Sequence, residues 1–339
     1  MIQQMYNNVE KKFFKENPKA YENWILEFLE NAIKKSPPHL KSLLEEKYEM
    51  AKPILDEQYS WFSNDLFIHH IMYNLINNAN QDIKEELEKV WIGKLNDNME
   101  ATAIAHTVDH DFEGYLITLN FEMEYLLLNV CEALAGELLI CTHKEEKYEE
   151  PMRDLYFTNF LSLPEQNELA MFIREVLSPE INEKLSDFSS TAYIGATTFV
   201  IAHEIGHHFL KHTEINNKFI KPYRDMYIRG GNINHEYEYA ADDFAIDLML
   251  KNKSNLKIEY LAGPYLVMLA LALEDPTPQF SCDSHPSIKD RYGNIKSRIA
   301  SKYENKEHIE VLDALSSRVT EFINITTKPE RWKGREWWK

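Results

Sequence analysis

Apolar residues recur at helical spacing through the N-terminal third of the chain. Trp24, Ile25, Phe28, Leu29 and Ile33 fall on one face of a helix over Ala20–Lys35. Pro37 and Pro38 break it before a second helix from Leu40 to Ala51. Two more helices are predicted over Ser63–Asn77 and Gln81–Leu95, separated by the polar run from Asn77 to Asn80. From about Asn98 the pattern changes. Gly114–Asn120 carries β-branched and aromatic residues and reads as a strand, and Phe121–Ala135 as a helix ended by Gly136. Thr142–Asn167 is charged and holds Pro151 and Pro164, so a surface connection is expected there, followed by a short helix over Glu168–Leu177. Thr191–Ala202 is apolar enough for a buried helix, with Ser189 or Ser190 as its N-cap. Thr213–Asn234, with Pro222 and Gly230-Gly231, reads as a loop. The expectation is a mainly α protein with a small β-sheet (α+β). Residues 1–97 would form a helical N-terminal region and residues 98–339 a second domain.

Composition narrows the class. Hydrophobic residues make up 44% and aromatics 12% of the 339, which is a globular balance. A formal net charge of −18 argues against nucleic acid as a partner. Cys131, Cys141 and Cys282 form no C-x-x-C and are odd in number, which points away from a disulfide framework and towards a reducing cytoplasm. Met1–Lys15 has no signal-peptide core. The longest apolar stretch, Leu261–Leu273, includes Gly263 and Pro264 and is too short to span a bilayer. A cytoplasmic protein without a membrane span follows.

The chemistry is concentrated in His203-Glu204-Ile205-Gly206-His207, an H-E-x-x-H pattern. Residues four apart on a helix share a face, so both imidazoles can reach one metal ion at roughly 2.0–2.1 Å. Glu204 is turned about 100° from His203 and can flank the ion, placed to take a proton from a water the metal has acidified. Unpaired His and Glu are poorly placed on an apolar helix, which favours a functional reading. Catalytic zinc takes three protein ligands, and the next candidate is Glu238, in His235–Asp243. Glu238 and Asp242 lie one turn apart, and Ala241 and Ala245 allow close approach to a neighbouring helix. Glu238 is then the third ligand, and Asp242 accepts a hydrogen bond from His203 and fixes its tautomer. The plainer alternative is a solvated acidic face. Two imidazoles and a carboxylate favour Zn2+ but admit other divalent ions. In Ser284–Arg291, Pro286 suits a first helical turn with Ser284 or His285 as cap. His285 or Arg291 could stabilise an oxyanion, or form only a cap and a surface arginine. His69-His70 point to different helix faces, and His106/His110 lack the glutamate, so neither pair is read as a site.

Taken in order, H-E-I-G-H, E-Y-A-A-D (Glu238–Asp242) and S-H-P-S…R (Ser284–Arg291) resemble the blocks of gluzincin metallopeptidases of the HtpX and CaaX-prenyl-protease type. Ser284 stands where those proteins usually have threonine, and their transmembrane helices are missing. The chain therefore looks more like the soluble Lit-type phage-exclusion peptidases, which act on a cytoplasmic protein. The resemblance covers Ala192–Ile299. It implies a zincin-like core over 98–339 with the active-site helix carrying H-E-x-x-H, and zinc held by His203, His207 and Glu238. Glu204 would be the base, Asp242 the partner behind a ligand, and His285 and Arg291 active-site neighbours. The strand Tyr115–Asn120 resembles the edge strand that lines such clefts and pairs with an extended substrate.

The expected function is a zinc-dependent endopeptidase acting on an intracellular protein or peptide, with Glu204 as general base. The competing expectations are a catalytically silent, metal-stabilised interaction or sensor protein, and a hydrolase of non-peptide substrates. Lys328–Lys339 carries Trp332, Trp337 and Trp338 among basic residues, and is expected to pack on its own domain or to serve as a docking element.

Overall fold

The computed structural model describes residues 66–95, 103–105, 115–120, 179–213, 232–251, 256–274 and 280–314, with scattered positions within 30–49 and 123–135 and residue 317. The described positions within Ala20–Lys35, Leu40–Ala51 and Phe121–Ala135 are all helical, as their apolar periodicity requires. The His106–His110 pair, the 142–177 stretch, residues 214–231 of the expected loop and the tryptophan-rich tail lie outside the described residues.

Helix α1 (Leu66–Asn78) buries Ile68, Ile71, Met72 and Leu75, one apolar face at helical spacing. Helix α2 (Gln81–Leu87) is shorter than expected, because Val90–Leu95 leaves the predicted helix and forms strand β1. Val90, Trp91 and Ile92 are all buried, so both strand faces are covered. A short continuous apolar run carries no period that separates a buried strand from a helix, and here aromatic and β-branched packing wins.

The sheet has three strands in the order β1-β3-β2, with β2 (Ala103–Ala105) and β3 (Tyr115–Asn120). β3 pairs parallel with β1, from Val90↔Tyr115 to Leu95↔Asn120, and antiparallel with β2. The strand expected at the edge is therefore central among the described strands, with β1 and β2 on either side of it. A three-residue segment with two alanines carries too little pattern to be read as a strand in advance. The sheet draws on residues from both sides of position 97.

Four long helices surround the site. Helix α3 (Pro179–Phe209) has 31 residues and runs about 46 Å at 1.5 Å per residue. It begins about three turns before the expected serine caps. Ser189 and Ser190 are interior, and the Ser189 hydroxyl donates back to the Ser186 carbonyl at 3.3 Å. Pro179 suits the first turn because its missing N–H would find no partner there. Helices α4 (Ile233–Leu250), α5 (Ile258–Glu274) and α6 (Ile288–Lys302) complete the layer. α4 and α5 pack on α3, α6 packs on both of them, and β2 and β3 contact α3.

The closest crossing joins α3 and α5. A Cβ added to Gly195 would stand 2.2 Å from the Tyr260 carbonyl oxygen, and one added to Gly263 2.2 Å from the Gly195 carbonyl carbon. Pro264 has no N–H to give the Tyr260 carbonyl, so this oxygen is left facing Gly195. The apolar stretch Leu261–Leu273 is thus a core helix. No helix among the described residues is long and apolar enough to cross a membrane.

Candidate metal centre

The last turns of α3 carry His203, Glu204 and His207 into the interior, with His203 and Glu204 only 7% and 8% exposed. α4 starts two residues earlier than the sequence suggests. Asn232 is its N-cap and accepts from the Asn234 N–H at 3.0 Å. Ala241 and Ala245 are fully buried against α3. A Cβ on Gly206 would lie 3.1 Å from Ala241 Cα, so small residues on both helices set the crossing. That approach brings Glu238 up to the two imidazoles.

His203 Nε2 and His207 Nε2 lie 3.1 Å apart, with Glu238 oxygens 3.5 Å from the first and 3.4 Å from the second. Donors about 2.0–2.1 Å from one tetrahedral ion stand roughly 3.3–3.4 Å from each other. Two neutral imidazoles and a carboxylate at this spacing fit a divalent cation. Among the described residues this is the one group of His, Cys, Asp and Glu so gathered.

Behind these atoms lies a charged layer. His203 Nδ1 faces Asp242 Oδ1 at 2.9 Å. Arg291 grips Asp242 with two donors, Nε to Oδ2 at 2.9 Å and Nη2 to Oδ1 at 2.7 Å, while its Nη1 lies 3.1 Å from Glu238. Asp242 is wholly buried and Arg291 nearly so. Burial pushes the Asp242 and Glu238 carboxyls up. The Arg291 charge together with the hydrogen bond and charge of His203, and for Glu238 the His207 charge, outweighs it, holding Asp242 below and Glu238 well below the usual range. Burial pulls His203 down, yet hydrogen bonding to Asp242 and Glu238 lifts it to about 10. His207 lacks the bond to Asp242, and burial takes it down to about 3.

Glu204 stands apart from this set. Burial pushes its carboxyl up to about 7, against the pull of the His203 charge. Its Oε2 accepts the backbone N–H of Ala105 at 2.7 Å, so strand β2 holds it. The centre opens into a cleft of about 840 Å³, lined on one side by β2 and on another by Phe280, Cys282 and His285. His285 is exposed, with Nε2 3.8 Å from Glu238 Oε1. Its block differs from expectation. Pro286 precedes the helix, and Ser287 is the N-cap of α6, accepting from the Asp290 N–H at 3.0 Å. Ser284 instead bonds the His285 ring at 2.8 Å.

His203, Glu204, His207, Glu238, His285 and Arg291 thus line one cleft, with Asp242 buried behind them. Two groups there were not foreseen. The Ala105 N–H could not be, since backbone donors leave no mark on side-chain pattern. His212 lies with its Nδ1 3.0 Å from His207 Nδ1. Its signal was present in the sequence, as a histidine just past the end of an apolar helix.

The H-E-x-x-H helix crossed by a second carboxylate-bearing helix gathers a group that could hold a metal ion, and comparison with known families supports a peptidase. The model of the family described as Peptidase U49 matches residues 134–312, more than half of the chain and the whole of α3 to α6. The chain belongs to this peptidase family. No curated protein and no solved structure matches it.

Proposed function

We propose that the protein is a zinc-dependent endopeptidase of gluzincin type, acting on a cytoplasmic protein. The observation that supports this reading is the convergence of His203, His207 and Glu238 beside a separate, buried Glu204. A bound divalent cation supplies Lewis acidity to a peptide carbonyl and lowers the pKa of a water towards about 7.

The chain's own residues do the rest. Glu204, with its basicity raised by burial to about 7, takes a proton from the water and keeps it for the leaving amine. Asp242 orients His203 through Nδ1, leaving Nε2 as the donor atom. Arg291 is committed to Asp242 and Glu238, so its role is to hold both carboxylates ionised and in place. His285 is the exposed cleft group left to approach the carbonyl oxygen. The 1–97 and 98–339 division remains part of this proposal, with the N-terminal helices limiting access.

Metal analysis of purified protein tests the ligand set. Glu238→Gln is expected to lose metal under chelator challenge while Glu236→Gln, one turn-fraction away on α4, retains it. Equal retention in both variants would remove Glu238 from the set. A comparison of host proteomes with and without expression then identifies the substrate.

A further inference from the structure

α3 ends in a turn whose geometry places one more histidine. On a continuing helix, a residue five positions after His207 would be about 140° round, on another face. Here the chain reverses instead. Lys211 takes a left-handed φ of 65°. The Lys211 N–H donates to the His208 carbonyl at 3.0 Å and the His212 N–H to the His207 carbonyl at 2.8 Å. These two bonds are the Schellman pattern, which folds the second residue past the helix end back over the residue five before it. An apolar pair usually meets there. In this protein the pair is His212 and His207, Nδ1 to Nδ1 at 3.0 Å.

Two further contacts hold the turn. Lys211, unusual at a left-handed position, donates through Nζ to the Tyr115 hydroxyl at 2.9 Å, and that hydroxyl donates to Glu86 at 2.6 Å. The His212 ring stacks on Tyr237 of α4, with centroids 4.0 Å apart and planes 15° from parallel. Tyr237 is the residue before Glu238. His212 is therefore gripped between the helix carrying the two histidines and the helix carrying the carboxylate.

Resting on the metal-site reading above, we infer that His212 is a positioning residue for His207, the counterpart of Asp242 behind His203. An imidazole that binds an ion through Nε2 carries its proton on Nδ1. The His207 Nδ1–H then donates to the lone pair on His212 Nδ1, and the neutral His212 keeps its own proton on Nε2. The pair fixes the ring angle and tautomer of His207 before the ion arrives. Of the two imidazoles, one is thus oriented by an anion and the other by a neutral ring.

Two substitutions separate the hydrogen bond from the stacking. His212→Asn places an amide oxygen where Nδ1 stands and keeps the acceptor. His212→Phe keeps a ring on Tyr237 and removes the acceptor. Zinc affinity is read by competition with a chromophoric chelator, and ligand geometry by the absorption of the cobalt-substituted protein. His212→Phe is expected to bind zinc about 10–100-fold more weakly than wild type, the usual effect of losing such a partner. His212→Asn is expected to recover most of that loss, with a wild-type cobalt spectrum. Wild-type affinity in His212→Phe, or equal weakening in both variants, would overturn the hydrogen-bond role. A changed coordination number in either cobalt spectrum would make His212 a ligand and overturn it as well. Absence of zinc binding by the wild type would instead strike the metal-site reading, before any variant is compared.

Discussion

At the scale of single residues, the division of labour turns on where each carboxylate sits relative to Arg291. Glu238 and Asp242 are beside it and are held ionised, whereas Glu204 is bonded to a backbone N–H and is pushed up to about 7. Glu204→Gln removes the basicity and keeps the shape. Proteolysis is expected to fall by about 10²–10⁴ with zinc content unchanged, measured by single-turnover cleavage and elemental analysis. A variant with full biological effect would favour the interaction-protein alternative. His285→Ala is expected to lower kcat with zinc content and thermal stability near wild type, because its ring is exposed and 3.8 Å from Glu238. Unchanged turnover would reduce its block to a cap for α6. Much of this was legible in advance, since H-E-x-x-H, E-x-x-x-D and the third block encode contacts between side chains at fixed helical offsets. Arg291 was legible as a neighbour, but its bidentate grip on Asp242 depends on how α6 docks on α4. That is a long-range fact without a local pattern.

At the scale of elements, the sequence reads best where a period runs long and worst where it is short. The helix over α1 and the shared face of Glu238 and Asp242 on α4 follow from pattern and spacing. β1 did not, because Val90-Trp91-Ile92 is apolar at every position and carries no period. Strand β2 was hidden by its length. The start of α3 is hidden in the sequence because Ser189 and Ser190 are good caps in isolation, yet the helix runs through them. The α3–α5 crossing supplies a prediction at this scale. Gly195 and Gly263 are gaps into which the partner backbone fits, and neither methyl can be accommodated by a side-chain rotation. Gly195→Ala adds helix propensity worth roughly 1 kcal/mol, but it would force the backbones of α3 and α5 apart. Overpacking of this kind costs about 1–3 kcal/mol, and more where backbone must move. A net loss of stability in urea denaturation is expected, with zinc affinity reduced because α3 carries two of the proposed ligands. A stabilised Gly195→Ala protein would mean that the two helices do not touch there.

At the scale of the whole molecule, the question is whether the ion holds the fold together or only completes the site. The helical layer has an apolar core of its own, running from Phe199 and Ile205 on α3 through Phe244 on α4 and Leu266 on α5 to Ile295 on α6. The charges at the centre also balance largely without an ion, since the Arg291 guanidinium and His203, lifted to about 10, face the two carboxylates of Asp242 and Glu238. Removing zinc is therefore expected to leave a folded protein that melts earlier. A ligand at 100 times its Kd stabilises the folded state by about 2.7 kcal/mol, and domains of 150–250 residues shift by roughly 2–4 °C per kcal/mol. A chelator should thus lower Tm by several degrees and leave far-ultraviolet circular dichroism intact. Arg291→Leu should behave differently. It strips two buried carboxylates of their shared cation, and breaking a buried pair from one side costs about 3–5 kcal/mol. Its Tm should fall further than that of the chelated wild type, and added zinc should restore only part, because Glu238 would hold the ion and Asp242 would not. If chelation alone unfolded the wild type, the ion would be structural, and the apolar core described here would be insufficient to hold the four helices.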